Sequence, residues 1–80
     1  MRASAYVLVN VHAGKGRKVM DLLAKFRNVS EAEAISGPYD LIVSVSGSDY
    51  NEIGRFVIEK LQSIEGVEKT LTCNVINFEQ

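Results

Sequence analysis

Ser36-Gly37-Pro38-Tyr39-Asp40 stands between two extended segments and fixes how the middle of the chain turns. Glycine tolerates φ > 0, proline sets φ, and aspartate bonds its own neighbouring backbone, so these residues predict a hairpin corner. Directly after it, Leu41-Ile42-Val43-Ser44-Val45 is too short and too β-branched for a helix and reads as a strand running to Ser46. On the other side, Val29 to Ile35 alternates Glu31 and Glu33 with Ala32 and Ala34. That is the pattern of an edge strand whose charges discourage pairing with another edge.

The flanks complete the order. Ala5 to Val11 reads as a strand apolar on both faces, with Ala5, Val7, Val9 and Val11 on one and Tyr6, Leu8 and Asn10 on the other. His12 to Gly16 breaks the pattern, and a helix follows to about Phe26 with Val19, Leu22, Leu23 and Phe26 as its apolar stripe. After Gly47-Ser48, Asp49 is placed as an N-cap with Glu52 three positions on, as in a capping box. The second helix presents Ile53, Val57, Leu61 and Ile64; Gly54 within it implies close packing on a neighbouring backbone, and Gly66 is placed as its C-cap. A last strand is expected over Val67 to Phe78, with Val67, Leu71, Cys73 and Val75 on one face and Thr70, Thr72, Asn74, Ile76 and Phe78 on the other.

The order is β-α-β-β-α-β. Right-handed crossovers put both helices on one side of the sheet, so an α+β, ferredoxin-like two-layer sandwich with antiparallel strand order 4-1-3-2 is expected. The opposite side is left bare, carrying Tyr6, Leu8, Ile42, Ile76 and Phe78. Burying each is worth roughly 1.5–3 kcal/mol, set against an association cost of about 4–15 kcal/mol. An apolar patch of this kind marks an interface, and a sheet-to-sheet dimer is the expected result.

Eighty residues make one domain, 1–80, small enough to bury only about 60% of its unfolded surface and therefore to gain from association. The single cysteine, Cys73, excludes an internal disulfide and fits a reducing, cytoplasmic setting. No apolar stretch is long enough to cross a membrane, and Met1-Arg2-Ala3-Ser4 runs into a strand pattern instead of a signal-peptide core. Nine basic and ten acidic residues are interspersed, and Lys15, Arg17 and Lys18 are a thin footprint for nucleic acid.

Gly14-Lys15-Gly16-Arg17-Lys18 lacks both P-loop spacing and the third glycine of a dinucleotide fingerprint, so it reads as a flexible turn. His12 has no second ligand at metal spacing and no catalytic partner; it reads as a strand-end surface residue. Cys73, between Leu71 and Val75, reads as a buried, unreactive thiol. No metal, cofactor or enzymatic activity is expected. The Ser36–Asp40 corner and the Ser46–Asp49 turn offer hydroxyls, backbone N–H groups and a carboxylate, which suit an amino acid's two charged groups. They read equally well as ordinary turns.

Ser36-Gly37-Pro38-Tyr39-Asp40-Leu41-Ile42-Val43, then the helix from Asp49 to Ile64, then Gly66-Val67-Glu68-Lys69-Thr70, resembles the effector domain of the Lrp/AsnC (feast/famine) regulators, known as the RAM domain. The resemblance covers nearly the whole chain. It implies a non-enzymatic, amino-acid-binding module that regulates transcription or amino-acid metabolism, dimerises by sheet packing and assembles dimers into a ring, often of eight subunits. Its effector lies between dimers, and the matching positions here are Gly37, Tyr39, Asp40, Ser46, Gly47, Ser48, Thr70 and Thr72. Pro38 departs from a commonly polar position and removes a backbone donor. Family members usually carry an N-terminal helix-turn-helix domain; here the first strand begins almost at Met1, so a stand-alone form without direct DNA binding is expected.

Other readings of the same fold make different demands. An ACT-like amino-acid-binding domain would place its ligand at the first strand-to-helix turn, Gly14–Gly16. An RRM-like RNA binder needs stacking rings on its central strands, where Tyr6 stands but Ile42 and Ser44 do not supply them. Acylphosphatase-like chemistry would rest on Arg17 with Asn10, and an α/β-barrel oxygenase on a His, Asn or Trp cluster in a chain without tryptophan.

Overall fold

Alternate residues of β1 (Ala3–Val11) are buried, as are alternate residues of β3 (Leu41–Gly47). These two central strands pair antiparallel, Val7 opposite Val43 and Leu8 opposite Ile42. β2 (Val29–Ala34) flanks β3, and β4 (Val67–Asn74) flanks β1, giving the order β2-β3-β1-β4 expected from the sequence. The computed structural model describes residues 2–78; Met1, Glu79 and Gln80, assigned above to the same domain, lie outside that range. Between the strands run α1 (Gly16–Leu23) and α2 (Tyr50–Phe56). The second helix continues as a π-helical turn, Val57–Leu61, in which Gln62 N–H donates to the Val57 carbonyl at 2.9 Å.

Both helices cover one face. Val7, Val9, Val19, Leu23, Leu41, Val43, Val45, Ile53 and Leu61 form its fully buried centre, and Phe26 meets Phe56 edge-on at 5.4 Å. Gly66 holds two connections together. Its φ of +105° is a left-handed conformation, its carbonyl accepts His12 N–H at 2.8 Å, and a Cβ there would sit 2.9 Å from Lys15 Cβ.

Several expectations change. Only one face of β1 is buried within a single copy; Tyr6 is 48% exposed. β4 stops at Asn74, opposite Ala5: Val75 N–H still meets the Ser4 carbonyl, but Ile76 and Phe78 lie beyond the ladder. A register shift at Asn10/Val11 sets Leu71 opposite Leu8 and Cys73 opposite Tyr6. Cross-strand partners share a face, so Leu71 and Cys73 join Tyr6, Leu8 and Ile42 on the open side where Ile76 and Phe78 were expected. Cys73 is accordingly exposed, not buried. Gly54 has no atom within 4 Å of where a Cβ would stand, so close backbone packing is not the reason for that glycine.

Candidate ligand-binding site

The expected site residues fall in three places. Gly37, Tyr39 and Asp40 lie at the start of β3 and Ser46, Gly47 and Ser48 at its end. Six residues of strand, about 20 Å, separate Asp40 from Ser46. Thr70 and Thr72 sit on β4 opposite Val9 and Val7, on the helix-covered side. No single copy brings these eight residues together.

At the corner, Gly37 adopts φ +134° and Tyr39 is half-buried. The Asp40 carboxylate is already engaged: Oδ2 accepts Val11 N–H at 2.8 Å and the Asn10 side-chain amide at 3.4 Å. That amide also donates to the Pro38 carbonyl at 3.0 Å, and Asp40 N–H donates to Val9. The corner is thus tied to the end of β1, where the ladder to β4 shifts register.

The turn after β3 is equally self-satisfied. Asp49 caps α2 by accepting Glu52 N–H at 2.8 Å. The reciprocal half of the capping box is displaced by one residue, because Glu52 Oε1 accepts the Ser48 N–H at 2.8 Å and its hydroxyl at 2.7 Å. Glu52 Oε2 accepts the Asn28 amide at 3.1 Å, and that amide also reaches the Ser46 carbonyl. The Ser48 N–H, the Ser48 hydroxyl and the Asn28 amide hold the Glu52 carboxyl down at about 2. Gly47 makes room for this: a Cβ there would stand 3.1 Å from the Glu52 carboxyl carbon. Arg2 donates to the Ser46 hydroxyl at 2.9 Å, and Ser46 N–H to Asn28. The donors expected to be free at this turn are therefore spent inside the fold.

A cleft of about 410 Å³ adjoins this turn on one flank of α2. Glu52, Asn28 and Ser48 in its wall bond one another, and Arg55 pairs with Glu59 at 3.5 Å. A second cleft, about 290 Å³, lies on the other flank between α2 and β4. Thr70, Thr72 and Asn74 face Tyr50 and Gly54 across it, and the missing side chain of Gly54 keeps it open. Gln62 donates to the Thr70 hydroxyl at 2.9 Å, and the Tyr50 hydroxyl donates to the Val75 carbonyl. The sequence pointed to the two threonines; it offered no reason to join them to Tyr50, Gly54, Gln62 and Asn74. None of the residues lining these two clefts belongs to the Gly14–Gly16 turn that an ACT-like ligand would need. Among the described residues there is no cluster of metal-ligating side chains and no helix long and apolar enough to cross a membrane.

A profile of the Lrp/AsnC ligand binding domain matches residues 4–78. The chain belongs to the Lrp/AsnC family. An uncharacterized HTH-type transcriptional regulator of Pyrococcus abyssi is 38% identical over 72 residues, which cover 86% of this chain and 48% of that protein. The crystal structure of FFRP-DM1 superposes with a TM-score of 0.89 at 34% identity, covering 92% of this chain and 99% of that one. A transcriptional regulator of Neisseria meningitidis, solved as a complex with L-Met, shares the fold at 22% identity and a TM-score of 0.84, over 98% of this chain and 52% of its own. The chain spans about half the length of the curated Lrp/AsnC relatives it matches. What the chain matches in these regulators is their ligand-binding domain.

Proposed function

We propose that this Lrp/AsnC domain binds a free amino acid at a junction between copies, and that occupancy shifts which assembly forms and so tunes transcription. The observation that carries the reading is the α2–β4 cleft. At about 290 Å³ it is at the lower end of ligand pockets and fits a small molecule. Its hydroxyl and amide groups from Thr70, Thr72 and Asn74 suit an amino acid's carboxylate and ammonium.

The cleft is open to one side, and a small-molecule site buries most of its ligand's surface. A neighbouring copy would supply the missing wall. The same geometry accounts for the separation of the Asp40 corner from the Ser48 turn: residues about 20 Å apart on one strand can share a ligand only if different copies contribute them. The Neisseria regulator's complex with L-Met makes amino acids the first class to try. The bare sheet face, with Tyr6, Leu8, Ile42, Leu71 and Cys73, is the surface for the dimer, and dimers assemble further into a ring. Ligand linkage then follows from differential affinity for two assemblies.

Titration calorimetry against the common amino acids is the test. At least one should bind, and Thr72→Val should weaken it. Silence across the panel at millimolar concentration removes the amino-acid reading.

A further inference from the structure

The nine residues that wall the α2–β4 cleft include no carboxylate, ammonium or guanidinium group. The spacing along the second helix accounts for half of this. Tyr50, Gly54 and Ile58 recur every four residues and share one flank, whereas Glu52, Arg55, Glu59 and Lys60 line the cleft on the other flank. On the strand side stand Thr70, Thr72 and Asn74, polar and neutral. Glu68 and Lys69, which precede them, are exposed and lie outside the wall. The cleft thus joins an apolar helical wall, with Ile53 and Val57 buried and Ile58 exposed, to a strand wall of hydroxyls and an amide.

An amino acid's α-ammonium and α-carboxylate cancel in net charge, and neutral hydroxyl and amide dipoles can meet both. A charge on its side chain has no such partner here. Taking that charge out of water without a counter-ion costs far more than burying a neutral group of the same shape. The helical wall favours apolar contact instead. Gly54 supplies the room, since no atom lies within 4 Å of where its Cβ would stand.

We infer that the α2–β4 cleft selects amino acids with uncharged, apolar side chains, and that Gly54 sets how long that side chain can be. The inference rests on the amino-acid site proposed above and adds the class of ligand. Selection works by exclusion: a charged side chain is left unpaired, and a neutral one of equal length is not.

Pairs of matched length test this by titration calorimetry on the full chain. Norleucine should bind about tenfold or more tighter than lysine, and methionine should exceed glutamate by a similar factor. Gln62, whose amide donates to the Thr70 hydroxyl, also lines the cleft. Gln62→Glu puts a carboxylate there with little change of shape, and should shift the norleucine-to-lysine ratio toward lysine. Gly54→Ala should weaken norleucine more than alanine; equal losses would remove Gly54 from the size limit. Circular dichroism checks that each variant folds. Lysine and glutamate binding as tightly as their neutral counterparts, or a ratio that Gln62→Glu leaves unmoved, overturns the inference and leaves an amino-acid site standing. Silence across all these ligands rejects that site, and the inference with it.

Discussion

Asp40 accepts the backbone N–H of Val11 at 2.8 Å, joining the hairpin corner to the last residue of the first strand. A carboxylate that the sequence offers to a ligand is thus used first to hold the sheet. Asp40→Ala leaves a part-buried donor unpaired and should cost about 1–3 kcal/mol. Asp40→Asn keeps an acceptor oxygen and should cost less. Chemical denaturation of both variants checks the order; equal stability of all three proteins would show the contact to be idle.

Glu52 makes the turn before α2 sensitive to acid. Its carboxyl is lowered from an ordinary 4.5 to about 2, chiefly by the Ser48 N–H and then by the Ser48 hydroxyl and Asn28. A depressed folded-state value means that the ionised form stabilises the fold above the unfolded value. That contribution is lost as pH falls from about 4.5 toward 2. Thermal melts across that window should fall with acid in the parent, and Glu52→Gln should be less stable at neutral pH with a flatter profile.

Gly54 separates stability from binding. No atom stands within 4 Å of the place a methyl group would take at this position, and alanine is the better helix former by up to ~1 kcal/mol. Gly54→Ala should therefore raise stability while narrowing the cleft shared with Thr70 and Thr72 and weakening amino-acid binding. Paired melting and calorimetry read both effects; a stabilised variant with unchanged affinity would move the ligand out of the α2–β4 cleft.

The sequence was most informative where one physical pattern acts alone. The short β-branched run Leu41–Val45 needs only a buried strand, and the Gly-Pro-Asp corner needs only local backbone preference. Asp49 was legible as a cap for the same reason, and the two motifs around Asp40 and Gly66 carried the family. Other features depend on partners distant in sequence. Ile76 and Phe78 continue an apolar alternation, yet the pairing with β1 ends at Asn74, although β1 itself runs on to Ala3. The exposure of Cys73 follows from a register shift at Asn10/Val11 that β4's own mixed pattern does not encode. An interior glycine signals only that a side chain is unwanted; at Gly54 the reason is an open cleft and not a close neighbour. The π-helical turn over Val57–Leu61 has no counterpart in the apolar spacing. Thr70 and Thr72 were nameable from the family resemblance, but their cleft-mates come from a helix whose rotation only packing decides.

The most direct test of the central claim is the native mass of the protein at micromolar concentration, by sedimentation, with and without each common amino acid. A dimer or larger assembly is expected throughout, with a shift in the distribution with at least one amino acid that is blunted in Gly54→Ala. A lone subunit whose mass no amino acid alters would contradict it.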